Sequence, residues 1–305
     1  MLFRLKRVVK RSALLSGTFY MLRSIWSSLT NQEMKSDIAN LTDLVLNINN
    51  ELRRGRFQNP LNDYGYKCFS QSDEDGITLE ILRRIGVVDK GVFAEFGVGN
   101  GMENNTLILA AMGWRGFWVG GEKLAFNIRS PEETGFTYIR DWITRDNIVD
   151  HTKAGMRAIG TDFIDVISLD LDGNDLYFLE KLLGAGLRPK LFIVECNTKF
   201  PPPIRFTINY DDQHVWMSDD YFGASLMSFV DLFNQSGYIL VCCNLHTGSN
   251  AFFIDSVFKS EFEDVPKSVD KIYVTPQSIL CHKNGPSVSL KTIENIINQS
   301  RVANS

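Results

Sequence analysis

The residues of this chain best suited to chemistry fall in two short runs, SLDLDGND (168–175) and IVECN (193–197). Each is a β-rich stretch that ends in acids, and ligands of open α/β sheets bind beyond the carboxyl ends of the strands. Asp170, Asp172 and Asp175 follow the first run, and Glu195 and Asn197 close the second. A carboxylate placed there can take a proton from a hydroxyl directly. Alternatively, two of Asp170, Asp172 and Asp175 can hold a Mg²⁺, a hard cation that prefers oxygen ligands and lowers the pKa of a bound hydroxyl. Aspartates after a strand also serve simply to cap the next helix. Counting back by twos, Asp172 shares a strand face with Asp170 and Ser168 and stands last before Gly173, which makes it the first choice as base. Asp170 lies deeper and reads as more structural. The four histidines show no ligand spacing. His214 and His246 are alternative bases, weighed against roles as polar loop residues.

A second run, FAEFGVGNGMENNT (93–106), sets Glu95 two residues before Gly97, with Gly99 and Gly101 following at the same spacing. Glycines between a strand and a helix let backbone N–H groups come close to a ligand. A dinucleotide fingerprint needs a further glycine three residues after Gly99, where this chain has Met102. An acid beside the turn repels a pyrophosphate and suits a cationic amino-acid ligand. The same turn also occurs as a plain strand-to-helix connection.

These residues need a scaffold, and the periodicity supplies one. From residue 91, short β-rich runs alternate with helical patterns: GVFAEFGV, a helix from about 104, GFWVG, YIRDW, a helix over 145–159, IDVISLDL, a helix over 175–184, and LFIVECN. This alternation predicts a parallel sheet. YILVCCN (238–244) and NAFFIDSV (250–257) stand too close for a helical crossover and pair as an antiparallel hairpin. His246 sits in the connecting turn. The main domain is expected over 57–260, with an insertion at 197–220 and a C-terminal extension over 261–305.

The first 56 residues differ in character. Residues 1–30 mix Arg4, Lys6, Arg7, Lys10 and Arg11 with apolar side chains, and the apolar run is far short of a membrane span. The pattern suits a basic amphipathic segment over 1–28 on an anionic membrane surface, or equally a helix docked on protein. In 31–56, Ile38, Leu41, Val45, Ile48 and Leu52 make a heptad seam of about two heptads, fitting either homo-oligomerisation or docking on the main domain. The net charge of −4 gives no sign of a nucleic-acid surface. Five cysteines without a CxxC pair indicate neither a disulfide framework nor a zinc site, and a cytoplasmic setting follows, peripheral at the inner membrane face if residues 1–28 bind lipid.

The order E-x-G-x-G-x-G resembles the first motif of S-adenosylmethionine-dependent methyltransferases. SLDLDGND resembles the D-x-E-G-x-E signature of the FkbM-like methyltransferases, and FSQSDEDGITLEIL, GWRGFWVGG and WITRDNI resemble the segments around it, over about residues 65–257. The resemblance implies a Rossmann-like class I methyltransferase fold: a seven-stranded mixed sheet with a C-terminal antiparallel hairpin, here preceded by N-terminal helices. It also implies S-adenosylmethionine as cofactor. Glu95, Gly97, Gly99 and Gly101 then contact its methionine part, Asn105 and Thr106 donate to its carboxylate, and Asp170 borders it. The acid expected for the ribose is replaced by Gly120 and Gly121, leaving Glu122 as the nearest substitute. Asp141 and Trp142 match the adenine position, with a core aromatic as the alternative for Trp142.

The acceptor is expected at Glu195, Asn197 and Asn250 and in the insertion, where Tyr210, Trp216 and Tyr221 stand among aspartates as in a sugar site; a folded lid with an aromatic core is the equal alternative. The implied activity is O-methylation of a sugar hydroxyl in surface-polysaccharide or related glycan biosynthesis. The alternatives are a catalytically silent scaffold of the same fold and a methyltransferase for a non-sugar small molecule.

Overall fold

The computed structural model describes residues 57–276 and 286–302, together with helical positions 34, 37, 41, 44, 45, 48 and 52. The chain divides into two units, Met1–Leu52 and Arg53–Ser305. In the first, Leu41, Leu44, Val45, Ile48 and Leu52 are helical and exposed. Ile38 of the heptad seam and the basic segment lie outside the described residues. Among the described residues no helix is long and apolar enough to cross a membrane.

The second unit is built on α1 (Glu74–Arg84), β1 (Val92–Phe96), α2 (Leu107–Ala111), β2 (Arg115–Gly120), β3 (Phe136–Arg140), α3 (Ile148–Ala158), β4 (Val166–Leu169), α4 (Asp175–Gly184), β5 (Leu191–Glu195), α5 (Leu226–Gln235), β6 (Tyr238–Cys243), β7 (Asn250–Asp255) and α6 (Leu290–Val302). One sheet holds all seven strands in the order β3-β2-β1-β4-β5-β7-β6. Strands β1 to β5 run parallel, and β7 is antiparallel to both neighbours. The central strands β1 and β4 are buried along their whole length, which explains why they read as continuous apolar runs instead of alternating ones. Aromatic rings fill the space around the sheet, with Phe233 stacked on Phe253 at 4.1 Å and Trp118 edge-on to Phe136 at 5.0 Å. Each such ring contributes roughly 1.5–3 kcal/mol by leaving water.

The chain winds outward from β1 to β3 and then returns to β4 on the other side of β1, so the order reverses between β1 and β4. A crevice opens at such a switch point. The register pairs Phe96 with Leu169, which brings Gly97 and Asp170 side by side where the two strands end. On the other side of β4, the register of β5 and β7 sets Glu195 opposite Asn250. Thus the glycine turn, the β4 acids, Glu195 and Asn250 share one edge.

One sequence expectation changes here. Strand β4 stops at Leu169, and Asp172 sits in the following turn with φ 53, in the left-handed region. Counting by twos from Ser168 therefore does not place Asp172, because the alternation ends with the strand. Cys196, Cys242 and Cys243 are buried free thiols, and burial holds all three well above the usual thiol range.

Candidate active site

A cavity of about 650 Å³ opens at the carboxyl ends of β1, β4 and β5. One wall is the glycine turn, Gly97 to Asn100, with Asn105 behind it; the facing wall carries Asp170, Asp172 and Glu195. Asn250 and Trp216 border it from β7 and the insertion.

The turn is held from inside by Glu95. Its carboxylate accepts the backbone N–H of Asn105 at 2.9 Å, the N–H of Thr106 at 3.0 Å and the Thr106 hydroxyl at 2.5 Å. Burial pushes the Glu95 carboxyl up, and these donors pull it back. The Thr106 hydroxyl in turn accepts Trp118 Nε1 at 2.9 Å. Both backbone donors and the hydroxyl are thereby occupied, so Thr106 has nothing left for a cofactor carboxylate, contrary to expectation. Asn105 keeps its amide on the cavity wall, where Nδ2 donates to Ser168 Oγ at 3.1 Å.

The glycines differ in what they do. At Gly97, φ is 89 and a Cβ would lie 1.6 Å from the Asp170 carbonyl oxygen, so only glycine lets β1 and β4 close. At Gly99, φ is 50 and a Cβ would meet nothing within 4 Å. Gly99 therefore faces open space beside the cavity it lines.

Carboxylate oxygens of Asp170, Asp172 and Glu195 lie within 4.8 Å of one another. Burial, and then the charges of Asp172 and Asp175, push Asp170 up to about 8. Burial and the Asp170 and Asp172 charges lift Glu195 well above the carboxylate range. Three charges so close are not all sustained near neutrality, and a proton stays with the Asp170–Glu195 pair. Burial also raises Asp172, while nearby His214 draws it down. The His214 ring rests on Gly173, where a Cβ would come within 2.5 Å of Cδ2, and it hydrogen-bonds the Asp172 backbone. The structure thus brings two of the sequence-derived base candidates together.

Asp175 takes a different part. Its Oδ1 accepts Leu171 N–H at 2.8 Å and its Oδ2 accepts Gly173 N–H at 2.9 Å, so the side chain ties the turn that carries Asp172. Burial pushes Asp175 up to about 6. With both oxygens engaged, Asp175 leaves the expected metal set, and Glu195 stands in its place. Three carboxylates at this spacing fit a Mg²⁺ that keeps some of its water.

The insertion is a folded lid. Phe200, Phe206, Ile208 and Tyr221 form their own small core, with Phe200 stacked on Phe206 at 4.1 Å. The buried Asn197 closes the lid, donating to the Asp220 and Phe222 carbonyls at 3.0 Å each and accepting Lys199 N–H. Tyr210 lies under the Arg145 guanidinium at 4.0 Å, accepts Arg145 N–H and donates to Asp212. Of the aromatic residues expected to meet the acceptor, Trp216 lines the cavity, whereas Tyr221 belongs to the lid's own core and Tyr210 packs against Tyr177 and Phe178 of α4. Helix α6 holds the lid from outside, with the Thr292 hydroxyl donating to Asp220 and Asn295 Nδ2 to the Thr207 carbonyl.

The residues expected at ribose and adenine lie apart from the cavity wall. Glu122 is exposed, and its carbonyl accepts the Tyr138 hydroxyl. Asp141 caps Trp142 N–H at 2.8 Å and pairs with His151 Nε2 at 3.3 Å. Trp142 Nε1 donates to the Asp212 carbonyl at 2.7 Å, joining the end of β3 to the lid. His246 donates its backbone N–H to Asp73, away from the cavity. Gln71, Met102 and Glu103 also line the cavity. All three belong to motifs of the sequence, Gln71 to FSQSDEDG and Met102 and Glu103 to FAEFGVGNGMENNT, where the spacing points to the glycines and to Glu95 instead.

No family model matches this chain, and no curated protein matches it. Similar solved structures include an O-methyltransferase family 2 protein from Planctomyces limnophilus DSM 3776 in complex with apigenin, at 13% identity and a TM-score of 0.31, covering 54% of this chain and 50% of that one. Another is a precorrin-6y C5,15-methyltransferase from Geobacter metallireducens GS-15, at 12% identity and a TM-score of 0.34, covering 65% of this chain and 96% of that one. This chain thus spans half the length of the first. The sheet order, with its antiparallel β7 and its crevice between β1 and β4, is the seven-stranded mixed, Rossmann-like sheet expected from the sequence.

Proposed function

We propose that this protein is an S-adenosylmethionine-dependent O-methyltransferase whose acceptor is a sugar hydroxyl in glycan biosynthesis. The observation that carries the reading is the cavity itself, in which the open position at Gly99 faces the acids at the ends of β4 and β5. When bound, the cofactor supplies a methyl group on a sulfonium. The glycine turn and the Asn105 amide hold its amino-acid end, and Glu95 keeps that turn in shape. Asp172 would accept the hydroxyl proton as the methyl group is transferred, and if Asp170, Asp172 and Glu195 instead held a Mg²⁺, the ion would lower the hydroxyl's pKa so that the proton could pass to water. Trp216 offers a ring face to a sugar.

A silent scaffold of the same fold is the second reading, favoured by Gly120 and Gly121 standing where a ribose-binding acid is expected. Calorimetric titration with S-adenosylmethionine separates the two, since a scaffold gives no binding heat. Gly99→Arg is the control. A Cβ there meets no protein atom within 4 Å, which leaves the added side chain room to enter the proposed cofactor space, and binding is expected to be abolished in a variant that still folds. Wild-type affinity in the folded variant would refute the assignment of that space.

The exposed apolar positions Leu41, Val45, Ile48 and Leu52 support self-association, and the basic residues before them support contact with an anionic membrane face. Removing residues 1–56 is expected to lower the oligomeric state and liposome binding while cofactor affinity stays. Unchanged mass by light scattering and unchanged sedimentation with anionic vesicles would remove both roles from this segment.

A further inference from the structure

The motif FSQSDEDG, which the proposed reaction leaves without a role, sits at the start of α1 and turns three consecutive acids inward, Asp75 to its own preceding loop and Asp73 and Glu74 to the connection between β6 and β7. Asp75 Oδ2 accepts the N–H groups of Cys68, Phe69 and Ser70 at 2.6, 2.7 and 2.9 Å, which fixes the loop that carries Gln71 to the cavity. Asp73 accepts the N–H groups of Leu245 and His246 at 2.8 and 3.1 Å, in the turn between β6 and β7. Glu74, fully buried, accepts Ser72 N–H and Ser72 Oγ at 2.8 Å each, Asn244 Nδ2 at 3.0 Å and Asn250 Nδ2 at 2.9 Å.

We infer that Glu74 is a positioning residue that sets which end of the Asn250 side-chain amide faces the cavity. An ionised carboxylate only accepts, whereas an amide has one donating and one accepting end. With Nδ2 committed to Glu74, Asn250 must turn Oδ1 the other way, and there it meets Asn105 Nδ2 at 3.5 Å. Asn105 Nδ2 also donates to Ser168 Oγ. A row of carboxylate, amide, amide and hydroxyl therefore runs from α1 through β7 and the turn before α2 to β4. Asn250 and Asn105 both line the cavity, so the polarity of two of its walls is decided by a residue that never reaches it. Replacing Glu74 by Gln leaves one accepting oxygen for four donors: an NH₂ group in the place of Oε1 faces Ser72 Oγ, Asn244 Nδ2 and Asn250 Nδ2, one in the place of Oε2 faces only Ser72 N–H, and in the first placement the anchor on Asn250 is lost. Asn250 is then free to turn over and present a donor where the cavity had an acceptor.

The binding arm of the test rests on the proposed cofactor, and a second arm does not. Titration with S-adenosylmethionine compares wild type, Glu74→Gln, Asn250→Ala and the double variant. About a tenfold loss is expected in each single variant, with no further loss in the double, because both act through one amide. In parallel, the Asn250 side-chain amide resonances, assigned by their absence in Asn250→Ala, are expected to be protected from exchange in wild type and to move in Glu74→Gln without any ligand. Losses that multiply in the double variant, or Asn250 resonances that stay put in Glu74→Gln, overturn the inference. If wild type binds no S-adenosylmethionine, the proposed function fails while the resonances still decide the orientation. If Glu74→Gln does not fold, the wild-type spectrum decides alone: rapid, unprotected exchange at Asn250 Nδ2 overturns the inference.

Discussion

Asp172→Asn is expected to leave a folded protein that turns over roughly 10² to 10⁴ times more slowly, the range for loss of a general base. Backbone and charge both single out this substitution. Asp172 has φ 53, a region that asparagine tolerates as well as aspartate does, so the variant keeps the turn that Asp175 ties and loses only the charge. Cofactor affinity is expected to change little. The wild-type rate should rise with pH through the raised pKa of Asp172, since only the deprotonated form accepts a proton, and that limb should disappear in the variant. Addition of Mg²⁺ or EDTA separates the two routes: chelation stops the wild type only if Asp170, Asp172 and Glu195 act through an ion. Full turnover by Asp172→Asn on an identified acceptor would pass the role of base to His214, whose ring rests against the same turn.

Gly97→Ala is expected to be the most damaging small substitution in the chain. A methyl group there would sit 1.6 Å from the Asp170 carbonyl oxygen, and the residue has φ 89. The left-handed conformation costs an alanine about 1–2 kcal/mol, and relieving the overlap by parting β1 from β4 adds about 1–3 kcal/mol. Together these approach half the stability of an ordinary domain. Urea unfolding should show a clearly lowered midpoint, with a smaller drop in Gly99→Arg, where φ 50 carries the same left-handed cost but the Cβ overlaps nothing. An unshifted midpoint in Gly97→Ala would mean that the ends of β1 and β4 are not held as tightly as their register implies.

The contrast between those glycines also marks what could be read in advance. The sheet was legible because strand and helix periods differ, and because the short gap between residues 244 and 250 permitted nothing but a hairpin. The ends of β4 and β5 were legible as the edge where the cavity opens for the same reason. Individual partners were not. Glu95, Asp175 and Asn197 have the residue types of a binding site, yet each turns inward, to backbone N–H groups at 105–106, to those at 171 and 173, and to the carbonyls of the lid. Sequence spacing fixes a residue's place in an element but not the direction of a side chain past the end of a strand. Glu195 joins the clustered acids because β5 lies beside β4 and sets it next to Asp170, a proximity that only the β4–β5 register creates.

The charged residues that line the cavity are Glu95, Glu103, Asp170, Asp172 and Glu195, with no lysine or arginine among the described residues there. Such a wall sorts ligands by sign before any specific contact is made. A sulfonium or ammonium group is drawn in, and the attraction weakens as salt screens it. A phosphate or carboxylate on the acceptor is repelled and has to stay outside the mouth while the hydroxyl end enters. Under the proposed function the demethylated cofactor, having lost its sulfonium charge, would forfeit this attraction, so that the cavity would hold the charged reagent and let go of its neutral product.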